Sequence, residues 1–339
     1  MQDVLRHYQH EFGISRDVGP GDTEELFDAI NAENDETVLV AFLRAWNAKG
    51  TTEDELFEFA TIMRRRMKRI RTRHTNYVDM VGTGGSTAKT FNVSTAAAFV
   101  IAGAGVAVAK HGNRAATSSS GSADVLSRLG IEVDIDPDHA ERHLDEHGLC
   151  FLFAPRFHAL SPTLARARRA LGEPTIFNNV GPLCNPASAP HHVIGVANDR
   201  MFDMTARVLD RLGTGRSWIV RGENGLDEVS LHGRTQVAEI HGRIERFDIS
   251  AADLGMTIST DPVPKNCSVE ESERLIRDVL AGKLADHNAE RLVLINAAVA
   301  IYVTGACSDL RSALHRVKAS IRTGAAEAKL EAMAAEKIK

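Results

Sequence analysis

Four cysteines are all that the 339-residue sequence contains: Cys150, Cys184, Cys267 and Cys307. They lie far apart and form no CxxC or other metal-ligand spacing, so reduced thiols in a cytoplasmic protein are the simplest expectation. Long apolar runs are missing too. The longest, residues 96–109 and 292–303, fall short of a membrane span, and Asn296 interrupts the second. The opening residues "MQDVLRHYQHEF" hold no apolar stretch of signal-peptide type. Charge excess is small as well. A net charge of -5 gives no reason to expect nucleic acid as the main partner. No internal repeat or low-complexity linker is present. What remains is an ordinary globular composition, 43% hydrophobic and 25% charged, in a chain long enough for one large or two ordinary domains.

The pattern changes once along the chain. Residues 1–72 read as helical, with apolar residues at helical spacing in "DTEELFDAINAEN" and "DETVLVAFLRAWNAKG". A third helix, "TTEDELFEFATIMRRRMKRI", opens on Thr51 or Thr52 with acids in its first turn and cations in its last. From "YVDMVGTGG" onward short apolar segments alternate with helices. The predicted strands include "VAVAK", "IEVDI", "LCFLFAP", "HHVIGVA" and "SWIVRG", with a β-rich stretch over "EVSLHGRTQVAEIHGRIERFDI". That alternation implies an α/β domain with a central, largely parallel sheet flanked by helices, beside a small all-helical domain. The expected division is 1–74 for the helical domain, with a returning helical segment around 160–190, and 75–339 for the α/β domain.

Four stretches could carry chemistry. In "MVGTGGSTAKTFNVST", residues 80–95, a strand runs into Gly82-Thr83-Gly84-Gly85 and then a helix, where free backbone N–H groups could cradle phosphate. It is not a nucleotide P-loop, because Ala88 precedes Lys89, and the dinucleotide pattern fails at Thr87. On the glycines alone, a phosphate cradle and a plain tight turn stand equally open; Lys89, Asn92, Ser94 and Thr95 add polar groups that favour the cradle. In "AKHGNRAATSSSGS", residues 109–122, Lys110, His111, Asn113 and Arg114 end a strand, where open α/β sheets bind ligands. Ser120 and Ser122 fit a solvated, capping loop. In "RGENGLDEVS" the pair Asp227-Glu228 could hold Mg²⁺ or could be a surface pair. In "RRALGEPTIFNNVGPLCNP", Arg168 and Arg169 suit an anionic partner or solvent, and Gly181-Pro182 shape a turn. The basic run at residues 63–74 lacks interleaved aromatics and also suits a helix C-terminus.

In this order and spacing, "GTGGSTAKTFNVST", "KHGNRAATSSSGSAD", "RRALGEPTIFNNVGPLCNPA", "GLDEVSLHG" and "LINAAVAIYV" resemble the anthranilate phosphoribosyltransferase family over nearly the whole chain. The resemblance implies the fold shared with pyrimidine nucleoside phosphorylases, and homodimers formed through the helical domain. It implies transfer of a phosphoribosyl group from phosphoribosyl pyrophosphate (PRPP) to the amine of anthranilate, with release of pyrophosphate. It also implies Mg²⁺ as cofactor, and neither a membrane nor nucleic acid as partner. By the resemblance, Gly82, Gly84, Gly85 and Lys110 are the catalytic residues. Thr83, Ser86, Thr90, Asn92, Ser94, Thr95 and Ser118 join them around PRPP. His111, Asn113, His158, Arg168, Gly181 and Pro182 line the aromatic-amine site, and Ser94, Asp227 and Glu228 hold the metal.

Two positions depart from the family pattern. Ser86 stands where an Asp usually follows GTGG, and Ser119 where the serine-rich loop commonly has a lysine; "LGEPT" and "FHALS" also vary. A relative using another aromatic amine or base therefore stays open. So does a nucleoside phosphorylase, given Lys89, and a non-enzymatic nucleic-acid-binding relative is a further alternative.

Overall fold

The computed structural model describes residues 2–19, 21–84, 86, 90–115, 120–223, 225–257 and 262–336. Four helices come first: α1 (Gln2–Gly13), α2 (Thr23–Ala32), α3 (Glu36–Lys49) and α4 (Glu53–Arg66). Of the two threonines that could open α4, Thr52 is the cap. Its hydroxyl accepts from the Glu55 N–H while the Glu55 carboxylate accepts from the Thr52 N–H, a closed capping box. Arg64, Arg65 and Arg66 fill its last turn, where cations complement the helix dipole. They are also spoken for: Arg64 donates to the Leu183 and Leu212 carbonyls, while Arg65 and Arg66 pair with Glu24 and Arg66 with Asp28.

Strands and helices then alternate. They run β1 (Tyr77–Gly82), α5 (Val93–Gly103), β2 (Ala107–Gly112), α6 (Ser122–Arg128), α7 (Pro137–His147), β3 (Leu149–Phe153) and α8 (Ala154–Phe157). Next come α9 (Pro162–Leu171), α10 (Ile176–Val180), β4 (His191–Gly195), α11 (Asp199–Leu212), β5 (Ser217–Gly222), β6 (Thr235–Ile240) and β7 (Ile244–Ile249). Four helices close the chain: α12 (Val269–Leu280), α13 (Asn288–Val303), α14 (Leu310–Arg322) and α15 (Ala325–Ala335). The seven strands form one sheet in the order β3-β2-β1-β4-β5-β6-β7. The pairs from β3 through β5 are parallel and those joining β6 and β7 are antiparallel, so the sheet is largely parallel, as expected.

Two predicted strands are corrected. The segment "IEVDI" buries Ile131, Val133 and Ile135 alternately but enters no strand ladder, so its period-2 pattern reflects an extended chain packed on the core. The β-rich stretch begins later than expected: residues 228–233 are bends and coil, and its first strand is β6.

Each face of the sheet carries its own apolar layer. On one side α5 and α13 pack under β1, β4 and β5, with α12, α14 and α15 around them. Helix α13 is buried on nearly all sides, which is why its sequence is apolar without a polar stripe. On the other side a second cluster runs continuously from α1–α4 through α9–α11 to Ile194, Ile219 and Ala238 of the sheet. Phe12, Phe42, Trp46 and Phe59 form its centre, their rings 5.1 to 5.6 Å apart in successive pairs. Burying side chains of this size stabilises by about 1.5–3 kcal/mol each. Helix α9 lies on α3, and Asn47 and Asn31 bond to the backbone of the 161–174 segment.

Candidate functional site

Strand order reverses between β2-β1 and β4-β5, and crevices at the carboxyl ends of such strands are where open α/β sheets bind ligands. A cleft of about 330 Å³ lies there, lined by the ends of β1, β2, β4 and β5. It gathers Gly82, Thr83, Gly84, Ser86, Thr90, Asn92, Ser94 and Lys110 with Asp227 and Glu228. It also takes in His111, Asn113, His158, Arg168, Gly181 and Pro182. Thr95 is not in its lining; that residue is buried behind it, against a small void with Phe99 and Cys150. Gly85 and Ser118 lie outside the described residues, as do Lys89 and Ser119.

The floor of the cleft depends on two glycines. Gly82 of β1 and Gly195 of β4 are register partners. A Cβ on Gly195 would fall 1.7 Å from the Asp227 carbonyl oxygen, and one on Gly82 would fall 2.7 Å from Asp227 Oδ2. Gly195 must lack a side chain for the 225–228 loop to lie across the strand ends, whereas at Gly82 the Asp227 carboxylate would have to move aside. That loop is then tied down from three directions. The Gly84 N–H donates to Asp227 Oδ2 at 3.3 Å, the Ser86 hydroxyl donates to the Gly225 carbonyl at 2.8 Å, and the Thr90 hydroxyl donates to Glu228 Oε2 at 3.1 Å. From below, Asn296 of α13 accepts from the Val229 N–H at 2.9 Å and donates back to the Val229 carbonyl at 3.0 Å. The polar residue that interrupts the apolar run is thus the clamp under the acidic pair, a role that sequence reading missed.

Lys110 and His111 are neighbours on β2, so their side chains leave opposite faces of the sheet. Lys110 reaches toward α5, where its ammonium donates to Ser94 Oγ at 3.0 Å and to the Met80 carbonyl at 2.9 Å. Burial pushes its pKa down to about 8, against the attraction of Asp79 and Glu228. Glu228 is pushed well above the usual carboxylate range, by burial first and by the Asp227 carboxylate second. Two adjoining carboxylates that resist ionising together, with hydroxyls beside them, are hard oxygen donors short of positive charge. Asp227 and Glu228 therefore fit a small hard cation such as Mg²⁺, which takes only one or two protein carboxylates and fills its shell with water and phosphate oxygens; Ser94 lines the same cleft, its Oγ accepting from Lys110.

His111 reaches the other way. Its Nε2 lies 3.1 Å from Nε2 of His158, the residue that follows α8. Burial and the neighbouring imidazole push His111 well below its ordinary value, and burial pushes His158 down to about 4. Arg168 of α9 lines the same part of the cleft. Its Nη2 donates to the Asn178 amide oxygen at 3.1 Å, and its guanidinium sits 5.6 Å from the Phe177 ring centre. Among the described residues no carboxylate pairs with it, and loss of hydration alone pushes its pKa down to about 10. Asn178 belongs to α10, where it also caps the helix by accepting from the Thr175 N–H at 3.0 Å. One amide thus fixes both the helix start and the arginine.

The cleft therefore joins a cation-fitting region beside the glycine loop to a neutral, partly aromatic pocket with one arginine available to an anion. A family model described as a glycosyl transferase family, a/b domain, matches residues 74–327. The chain is 44% identical over 313 residues to an anthranilate phosphoribosyltransferase of Moorella thermoacetica, covering 92% of each. Among solved structures, anthranilate phosphoribosyltransferase from Thermus thermophilus superposes with a TM-score of 0.85 at 32% identity, over 97% of this chain and 98% of that one. The Saccharomyces cerevisiae enzyme in complex with PRPP and Mg gives 0.84 at 26% identity, over 98% and 97%.

Proposed function

The chain belongs to the anthranilate phosphoribosyltransferase family, and from that membership we propose how its cleft carries the reaction. The protein transfers the phosphoribosyl group of PRPP to the amine of anthranilate and releases pyrophosphate, a step of tryptophan biosynthesis. The ribose C1–O bond breaks with its electron pair leaving on pyrophosphate. The amine lone pair forms the new C–N bond, and the nitrogen then loses a proton to solvent.

The residues divide this work. The glycine loop and the start of α5 face the phosphates, which Thr83, Thr90, Asn92 and the Lys110 ammonium bind. Asp227, Glu228 and Ser94 hold Mg²⁺, which when bound supplies positive charge against the departing pyrophosphate. Arg168 receives the anthranilate carboxylate, while His111, His158, Asn113, Gly181 and Pro182 enclose the ring. Because an arylamine is already a nucleophile, neutral imidazoles suffice beside it, and catalysis is positioning plus leaving-group stabilisation.

The observation that carries the amine assignment is Arg168, a largely desolvated guanidinium whose described bond goes to a neutral amide. A half-buried cation without a counter-charge gains from an incoming carboxylate. Residues 1–74 with the segment around 160–190 form the helical domain in this reading; the apolar cluster that joins α1–α4 to α9 and α10 continues from it into α11 and the sheet. A homodimer through that domain and a cytoplasmic location belong to the same reading; no helix among the described residues is long and apolar enough to cross a membrane.

The test is consumption of anthranilate, followed by its fluorescence, in the presence of PRPP with and without Mg²⁺. Loss of signal that needs both supports the assignment. Pyrophosphate release with a different amine and none with anthranilate would move the substrate. Replacing Asp227 and Glu228 together by Ala is expected to lower Mg²⁺-dependent turnover about a hundredfold or more, since a bound metal contributes several kcal/mol of charge stabilisation.

A further inference from the structure

Strands β1 and β2 are paired unevenly. Their ladder registers Tyr77 with Ala107 and Val78 with Val108 and then stops. On the outer sides, β1 stays paired with β4 as far as Gly82, and β2 stays paired with β3 as far as Gly112. The backbone ladder between these neighbouring strands therefore ends inside the sheet, at the point where the cleft opens.

Side chains bridge the two strands where the ladder ends. The His111 N–H donates to Asp79 Oδ1 at 3.1 Å, so a carboxylate on β1 takes a backbone donor of β2. Asp79 Oδ2 accepts from Asn185 Nδ2 at 2.7 Å, and that same amide nitrogen donates to the Ala109 carbonyl of β2 at 2.8 Å. Asn185 is itself fixed, because its oxygen accepts from the Ala187 N–H at 2.8 Å. On the other face Lys110 reaches back to the Met80 carbonyl of β1. Asp79, Lys110, His111 and Asn185 are all 3% exposed or less, so water does not make these bonds for them.

We propose that Asp79, held by Asn185, is a positioning residue for this reaction: it bridges β1 to β2 and thereby sets the phosphate-side lysine and the amine-side histidine together. The inference rests on the PRPP and anthranilate reading above. Asp79 touches neither substrate in it. Its carboxylate fixes the backbone of His111, and Lys110 is the preceding residue, so one displacement moves two side chains that leave opposite faces of the strand. An ordinary ladder could not do this, because the His111 N–H and the Ala109 carbonyl would then bond the β1 backbone and not Asp79 and Asn185.

The discriminating readout is how the two Michaelis constants move. Asp79→Ala is expected to raise KM for PRPP and KM for anthranilate together, each by about tenfold or more, as the loss of hydrogen bonds to a buried charge implies. Asp79→Asn keeps an acceptor for the His111 N–H but turns an amide nitrogen toward that of Asn185, and should raise both constants less. Asn185→Ala should reproduce the paired rise with Asp79 intact, and it carries the test if Asp79→Ala does not fold. A merely structural role would lower the active fraction, and so kcat, with both KM values unchanged. Unchanged KM values in folded Asp79→Asn and Asn185→Ala, or a rise in only one constant, would overturn the proposal. Wild-type protein is assayed alongside: absence of turnover there would count against the reaction itself, whereas normal wild-type turnover with unmoved variants would count against the positioning role alone.

Discussion

Nε2 of His111 and Nε2 of His158 face each other at 3.1 Å in the buried wall of the cleft, so one ring must donate and the other accept. Both imidazoles are held neutral at pH 7, since burial pushes His158 down to about 4 and His111 well below its ordinary value. A histidine titrates near 6.5 in an unfolded chain. As pH falls below that value the unfolded state takes up a proton that the folded state refuses, so stability is full above about 6.5 and is lost toward pH 4. At pH 5 His158 alone accounts for about 2 kcal/mol of that loss. Thermal melts between pH 7.5 and 5 are expected to fall steeply for the wild type and less steeply for His158→Gln. Equal slopes in the two proteins would remove His158 from the acid sensitivity.

Ser86 stands where the family pattern usually has an acid, and its buried hydroxyl ties the glycine loop to the Gly225 carbonyl. A carboxylate could not donate that bond. Ser86→Ala is expected to raise KM for PRPP about fivefold, corresponding to one hydrogen bond of about 1 kcal/mol, while KM for anthranilate stays put. Steady-state kinetics with each substrate varied in turn checks this. A larger change in the anthranilate constant would place Ser86 in a different role.

Gly195→Ala tests whether the acidic loop needs its close approach to β4. The added Cβ would meet the Asp227 backbone, which cannot rotate away as a side chain could. The loop must shift, at a cost of about 1–3 kcal/mol for overpacking. The variant should melt lower and need more Mg²⁺ for half-maximal rate. An unchanged Mg²⁺ requirement would show that the acidic pair does not depend on this contact.

Much of the fold was legible because local patterns and tertiary structure agree. The apolar runs entering glycines at Gly82, Gly112 and Gly195 are parallel strands whose ends meet at the cleft, and the start of α4 was legible to within Thr51 or Thr52, of which Thr52 is the cap. Periodicity failed at "IEVDI", where alternation reports which side chains are buried and says nothing about ladder partners. The family resemblance supplied many residues of the cleft by motif, among them Lys110, His158, Arg168 and the acidic pair. It did not supply those whose work depends on contacts between remote segments. Asp79 and Asn185 are 106 residues apart, and Asn296 clamps a backbone 67 residues away, so neither relation leaves a local signal. Asn178 could have been suspected, since an Asn three residues after Thr175 fits a helix-start box. Its bond to Arg168 still required the fold.

The most direct measurement of how the cleft is divided is the pair of KM values for Arg168→Ala. The guanidinium is assigned to the anthranilate carboxylate alone, while PRPP is assigned to the 82–86 loop, α5, Lys110 and the acidic pair. KM for anthranilate should therefore rise about thirtyfold or more, the effect of losing a charged hydrogen-bond partner, with KM for PRPP unchanged. An unchanged anthranilate constant, or an equal rise in both, would contradict the assignment of this arginine and with it the amine side of the site.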